Sequence, residues 1–210
     1  MSDITFSISE LIQDAWSKFK EKPGFWILIT IISIAVGYFG DYGLSIDPES
    51  FEASFTSIQG FLMSVISLYL SASITLIYIK YMRGESVTFN DLIGVNFNKF
   101  IHYILTVLVS GVLMILGFVL LILPGFYVMA RLIFAQYLVL DRNLSFSEAI
   151  TTSFNMSEGH VLNFISFIFA MAFLVILGFL SLLFGVLIAI PVSSLATAKL
   201  YLLFSEKAQL

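Results

Sequence analysis

Few side chains in this sequence could do chemistry, and they stand far apart. His102 and His160 each open a different apolar run, and neither has a second ligand at metal spacing. Both read as polar anchors at a membrane interface, with a metal ligand or proton relay as the alternative. There is no cysteine, which removes disulfides, thiolate metal sites and cysteine nucleophiles. No GxxxxGK, GxGxxG, HExxH or GxSxG pattern occurs. The chain therefore reads as not an enzyme, with no catalytic residue, cofactor or metal expected.

Arg131 is the exception. It lies six residues past Gly125 and ten before Asp141, inside a run otherwise free of charge. A charge at mid-bilayer costs roughly 2.5–3.5 kcal/mol on insertion scales, so the guanidinium must face protein, water or a lipid head group. Two readings follow. It snorkels or caps carbonyls freed at the Pro124-Gly125 break, or it lines a cavity and holds a phosphate or carboxylate through a bidentate fork. Lys199 lies near the end of the last apolar run and can reach the aqueous face along its own stem. Gly60, Ser64, Ser67 and Ser71 recur at helical spacing, which suits close helix packing or a polar path. No Asp or Glu falls inside an expected span, which disfavours transport coupled to an intramembrane carboxylate.

The elements that must position these groups are apolar helices. Hydrophobic residues make up 59% of the 210-residue chain and charged residues only 11%, with a mean hydropathy of +1.00. Soluble domains carry about twice that charge. A crossing helix needs about 20 residues for about 30 Å of hydrocarbon. Residues 101–140 and 161–204 are each about twice too long for one crossing, so each is expected to double back. The first turn is placed at Pro124-Gly125 and the second near 181–185, with Pro191 as an alternative break. Spans at 25–39 and 58–82 bring the total to six. Lys18, Lys20, Lys22, Arg83, Lys99, Arg142 and Lys207 then fall on one side. The loop 41–57 has four acids and no base on the other. That asymmetry predicts cytoplasmic termini. Trp26 is expected at an interface, where amphipathic rings settle, with helix packing as the alternative.

One pattern recurs before three of the spans. It reads Ile8-Ser9-Glu10-Leu11-Ile12, then Phe89-Asn90-Asp91-Leu92-Ile93, then Phe146-Ser147-Glu148-Ala149-Ile150, with Trp16, Phe97 and Phe154 four residues beyond. Ser9, Asn90 and Ser147 are suitable N-caps, and the following acid, Glu148 in the third copy, meets the positive end of the helix dipole. Gly24 and Gly159 suit helix C-termini. The expected fold class is all-α, a single integral membrane domain over 1–210. Its six transmembrane helices are arranged as three repeats of interfacial helix plus transmembrane hairpin, at about 6–83, 87–141 and 144–204.

Pro124-Gly125-Phe126-Tyr127, Arg131, Ser147-Glu148-Ala149-Ile150, Ser153-Phe154, Gly159-His160 and the late Pro191 also form a recognisable series. Over residues 87–204 the chain resembles the bacterial YciC-like membrane proteins and the related membrane domain fused to some glycerophosphodiester phosphodiesterases. The resemblance implies a bacterial inner-membrane location and an accessory role. The phosphodiesterase activity belongs to a separate soluble domain and is not implied. The expected partners are the lipid bilayer and a membrane-protein partner or a second copy of the chain. No basic cluster points to nucleic acid. The function expected is membrane assembly, lipid organisation or scaffolding, with a small-solute or lipid transporter using Arg131 as the alternative.

Overall fold

The computed structural model describes residues 6–41, 44–46, 53–55, 58–181 and 184–207. Its order is α1 (Ile8–Glu21), α2 (Pro23–Asp41), β1 (Leu44–Ile46), β2 (Ala53–Phe55), α3 (Ile58–Met82), a 3-10 turn (Phe89–Ile93), α4 (Phe97–Leu120), α5 (Ile122–Arg131), α6 (Ala135–Arg142), α7 (Phe146–Met156), α8 (Val161–Leu180) and α9 (Phe184–Lys207). The regular elements among the described residues are thus helical apart from a small antiparallel ribbon, β1 on β2, that pairs Leu44 with Phe55. The acids Asp47, Glu49 and Glu52 of the expected acidic loop lie outside the described residues.

Among the described residues, five helical stretches are long and apolar enough to cross a membrane: Gly60–Met82, Phe97–Leu120, Ile122–Arg142, Val161–Leu180 and Gly185–Glu206. Together they make the chain a polytopic membrane protein. A shorter apolar stretch, Pro23–Gly37, belongs to α2. Of the most apolar part of α9, 56% is buried within the protein, against 22% for α4 and for α8. Helix α9 is therefore the central post, and α4 and α8 face outward.

α1 shows why its sequence folds amphipathically. Leu11, Ala15 and Phe19 are buried at spacings of four, while the polar side chains point away. Trp16 stays 41% exposed. Trp26 does not. The single residue Lys22 between α1 and α2 turns it inward, where it is fully buried and stacks on Tyr78 at 5.1 Å. Helix packing, not interface anchoring, is its role. Gly24 is the second residue of α2 rather than an α1 terminus, which is capped at Lys22.

The first hairpin turn also differs from expectation. α4 ends at Leu120, Leu121 alone is extended, and α5 begins at Ile122. Pro124 therefore sits in the first turn of α5, where its missing N–H costs nothing. Gly125 is a packing residue: a Cβ on Gly117 would lie 3.0 Å from its Cα. α8 ends at Leu180 and α9 begins at Phe184, within reach of the turn expected near 181–185, and Pro191 lies inside α9. Gly178 and Gly185 close this second hairpin, since a Cβ on Gly185 would meet the Gly178 carbonyl oxygen at 2.5 Å.

Of the three recurring segments, α1 and α7 are helices, but the middle one is only the five-residue 3-10 turn. Gly94 interrupts it, and Asn96 begins α4 by accepting from the Lys99 N–H at 2.8 Å. The caps stand two residues earlier than Ser9, Asn90 and Ser147 in every copy: Ser7, Thr88 and Ser145.

Candidate functional site

Arg131 ends α5 at a break within the long apolar stretch Ile122–Arg142, because Leu132 to Phe134 leave helical hydrogen bonding before α6 resumes. Such a break frees carbonyls and N–H groups that need partners. Ser153 of α7 supplies them. Its hydroxyl donates to the Arg131 carbonyl at 2.7 Å and accepts from the Phe134 N–H at 3.3 Å, while fully buried. Ser157 adds a longer donation to the same carbonyl at 3.5 Å. α7 can reach the break because Asn143, in the left-handed conformation, turns the chain so that α7 packs back along α6.

The Arg131 guanidinium lies 5.1 Å from the Phe154 ring and 5.6 Å from the Tyr127 ring. Cation–π contact thus replaces an ion pair. No carboxylate lies within 4 Å of it among the described residues, and its buried Nε has no hydrogen-bond partner there. At this second break, beyond Pro124-Gly125, the two serines cap the Arg131 carbonyl. Tyr127, Arg131, Ser153 and Phe154 therefore meet, although 27 residues separate the first from the last.

The other singled-out residues are distributed elsewhere. Glu148 closes a capping box on Ser145, accepting from its N–H at 2.9 Å and its hydroxyl at 2.7 Å. Those bonds hold its carboxyl below the usual range. Gly159 has φ +79° and turns the chain from α7 to α8. His160 is buried against Phe164 and Phe204, with Nδ1 3.0 Å from the Glu158 carbonyl. Lys199 pairs with Asp14 at 3.4 Å, tying α9 to α1.

A second constellation was not expected. Asp141, its side chain 5% exposed, accepts from Arg83 at 2.6 and 2.7 Å and from the Tyr201 hydroxyl at 2.8 Å. Next to Arg83 on the chain, Lys80 donates to Asp91 at 2.9 Å and Tyr81 donates to Glu21 at 2.7 Å. The end of α3 thus holds one acid from α1, one from the 3-10 turn and one from α6. The Arg83 guanidinium is held above its ordinary value by Asp141, and the Asp91 carboxyl below its own by Lys80. Single residues carry no sequence signal for this; only the excess of bases at this end hinted at it.

Between α2, α3, α6 and α9 lies a cavity of about 310 Å³. Eight of its eleven lining residues carry a hydroxyl, and none is charged. Ser67, Ser71, Thr75 and Tyr78 come from α3, so the serine stripe read as packing or polar path reaches it in part. Thr30, Tyr137 and Ser194 face them from the other helices. Among the described residues no group of three His, Cys, Asp or Glu side chains could hold a metal. No family model, curated protein or solved structure matches the chain.

Proposed function

We propose that this chain is a six-span, non-enzymatic accessory protein of the bacterial cytoplasmic membrane, with both termini inside, that organises lipid or holds a partner complex. α2 supplies the sixth span: at 19 residues it measures about 28 Å, close to the hydrocarbon thickness. The YciC-like resemblance favours the same compartment and role. The three units, each an interfacial segment followed by a hairpin, are supported by a cap-x-x-acid start in each: Ser7 to Glu10, Thr88 to Asp91, and Ser145 to Glu148. Glycine clasps in the second and third hairpins, Gly117 on Gly125 and Gly178 on Gly185, add to it.

The observation that carries the role is how the charges at the basic end are used. Asp14, Glu21, Asp91 and Asp141 each bind a base or tyrosine from another element, so these groups fasten segments together. The apolar outer faces of α4 and α8 are left for lipid or a membrane partner: Val119, Leu120, Leu162 and Leu180 are each more than 70% exposed. In-membrane photocrosslinking from positions 119 and 162 tests this. A discrete protein adduct or a selective lipid adduct is expected; a featureless adduct with every lipid present would defeat it. Reporter fusions at residues 50 and 85 should read outside and inside.

A second reading, transport of a solute or lipid with Arg131 contacting an anionic group, is favoured by the unpartnered Arg131 Nε. Unchanged anion uptake by Arg131→Ala in proteoliposomes would end it.

A further inference from the structure

The hydroxyl-lined cavity between α2, α3, α6 and α9 has a chemistry of its own. A charged ligand there would lose its hydration, and no lining residue offers a compensating charge. The hydroxyls are also biased. Thr30 donates to the Trp26 carbonyl at 2.8 Å, Ser33 to the Ile29 carbonyl at 2.8 Å, and Thr75 to the Ser71 carbonyl at 2.9 Å. A hydroxyl whose proton is committed to its own helix presents lone pairs to the cavity. The lining is therefore rich in acceptors. Phosphates and carboxylates, which only accept when ionised, find few partners, whereas a ligand with several O–H donors finds many.

The other hydroxyls at the wall, Tyr78 and Ser71, bond to neighbouring hydroxyls, bonds that a ligand's own hydroxyls can exchange into. Tyr78 is 5% exposed and stacks on Trp26, which fixes its ring, and Ser194 and Thr30 neighbour its hydroxyl. Ser71, at the rim, shares a hydrogen bond of 3.1 Å with Tyr103 of α4. The volume of about 310 Å³ is at the small end of ligand pockets, which run from about 300 Å³ upward.

We infer that this cavity binds an uncharged polyhydroxyl group, either a free polyol or the glycerol head of a neutral lipid. The site is separate from Arg131 and does not depend on whether the protein has a macromolecular partner. Ligand-observed NMR on the full chain in lipid nanodiscs tests it, with glycerol and myo-inositol as free probes and sodium phosphate as the charged control. A parallel arm places dioleoylglycerol in the disc and reads the thermal midpoint.

Saturable binding of a free polyol, or a rise in midpoint with dioleoylglycerol, is expected, and which arm responds identifies the source. Ser194→Phe fills the cavity and should abolish the response. Tyr78→Phe keeps the ring and removes one hydroxyl, so it should weaken binding about tenfold, the worth of one good hydrogen bond. Its conservative shape keeps the test valid if Ser194→Phe does not fold. Silence in both arms, an undiminished response in the variants, or saturation by sodium phosphate would overturn the inference.

Discussion

Ser153 does at the kink between α5 and α6 what a buried water does in other proteins: it accepts from one freed backbone group and donates to another. Ser153→Ala leaves the Arg131 carbonyl and the Phe134 N–H buried without that partner, at a cost of about 1–3 kcal/mol. The thermal midpoint in detergent should fall accordingly, and Ser157→Ala, which loses only a 3.5 Å contact at this carbonyl, should lower it less. Equal effects would show that the break is satisfied some other way. Asp91 gives a second expectation at this scale. Its carboxyl is held low first by the Lys80 hydrogen bond and then by the Thr88 N–H. A lowered folded pKa contributes stability that is full above the unfolded value of about 3.9 and is lost as pH falls through the folded value. Intrinsic-rate-corrected amide exchange over 89–94 should therefore stay flat from about pH 7 to 5 and rise below about pH 4. Asp91→Asn should remove that rise.

α1, α3, α4 and α8 follow directly from apolar length and periodicity, and the bounds expected for α3 match those observed. The local turn chemistry was harder to read. Pro124-Gly125 has the composition of a turn, yet a proline is equally at ease in the first turn of a helix, and a glycine equally useful where two backbones touch. Composition cannot separate these uses. The caps were misplaced for a related reason: each cap is followed two residues later by another capping-type residue, Ser9, Asn90 or Ser147. The S/T-x-x-D/E box spacing would have chosen the earlier one. The glycine clasps yield a prediction that separates the two roles of glycine. Gly185→Ala forces backbone apart at the Gly178 carbonyl and should cost about 1–3 kcal/mol. Gly111→Ala, in mid-α4 with nothing within 4 Å of a new Cβ, should be neutral or stabilise by up to about 1 kcal/mol. Unfolding of the two variants under the same detergent and lipid conditions reads the contrast.

Across the whole molecule, what the sequence concealed is tertiary pairing. The cluster of bases at one end is visible as composition, but that Arg83 finds Asp141, 58 residues away, depends on where α3 and α6 end side by side. The same holds for the cavity, whose hydroxyls come from four helices and look in sequence like ordinary packing residues. Asp141 joins the end of α3 to α6 and, through Tyr201, to the central α9, so it should behave as a fastening for the bundle. Because Arg83 is 39% exposed, solvent screens the pair and its worth is well below that of a fully buried one. A double-mutant cycle with Arg83→Met and Asp141→Asn should give a coupling of about 1–2 kcal/mol. Asp141→Asn should be the more damaging single change, because it weakens the acceptor for both Arg83 and Tyr201, and Tyr201→Phe should recover part of the difference by removing the stranded hydroxyl. Additive single effects would mean that α3 and α6 are held by apolar packing alone, and that the charges at this end serve only to orient the chain in the membrane.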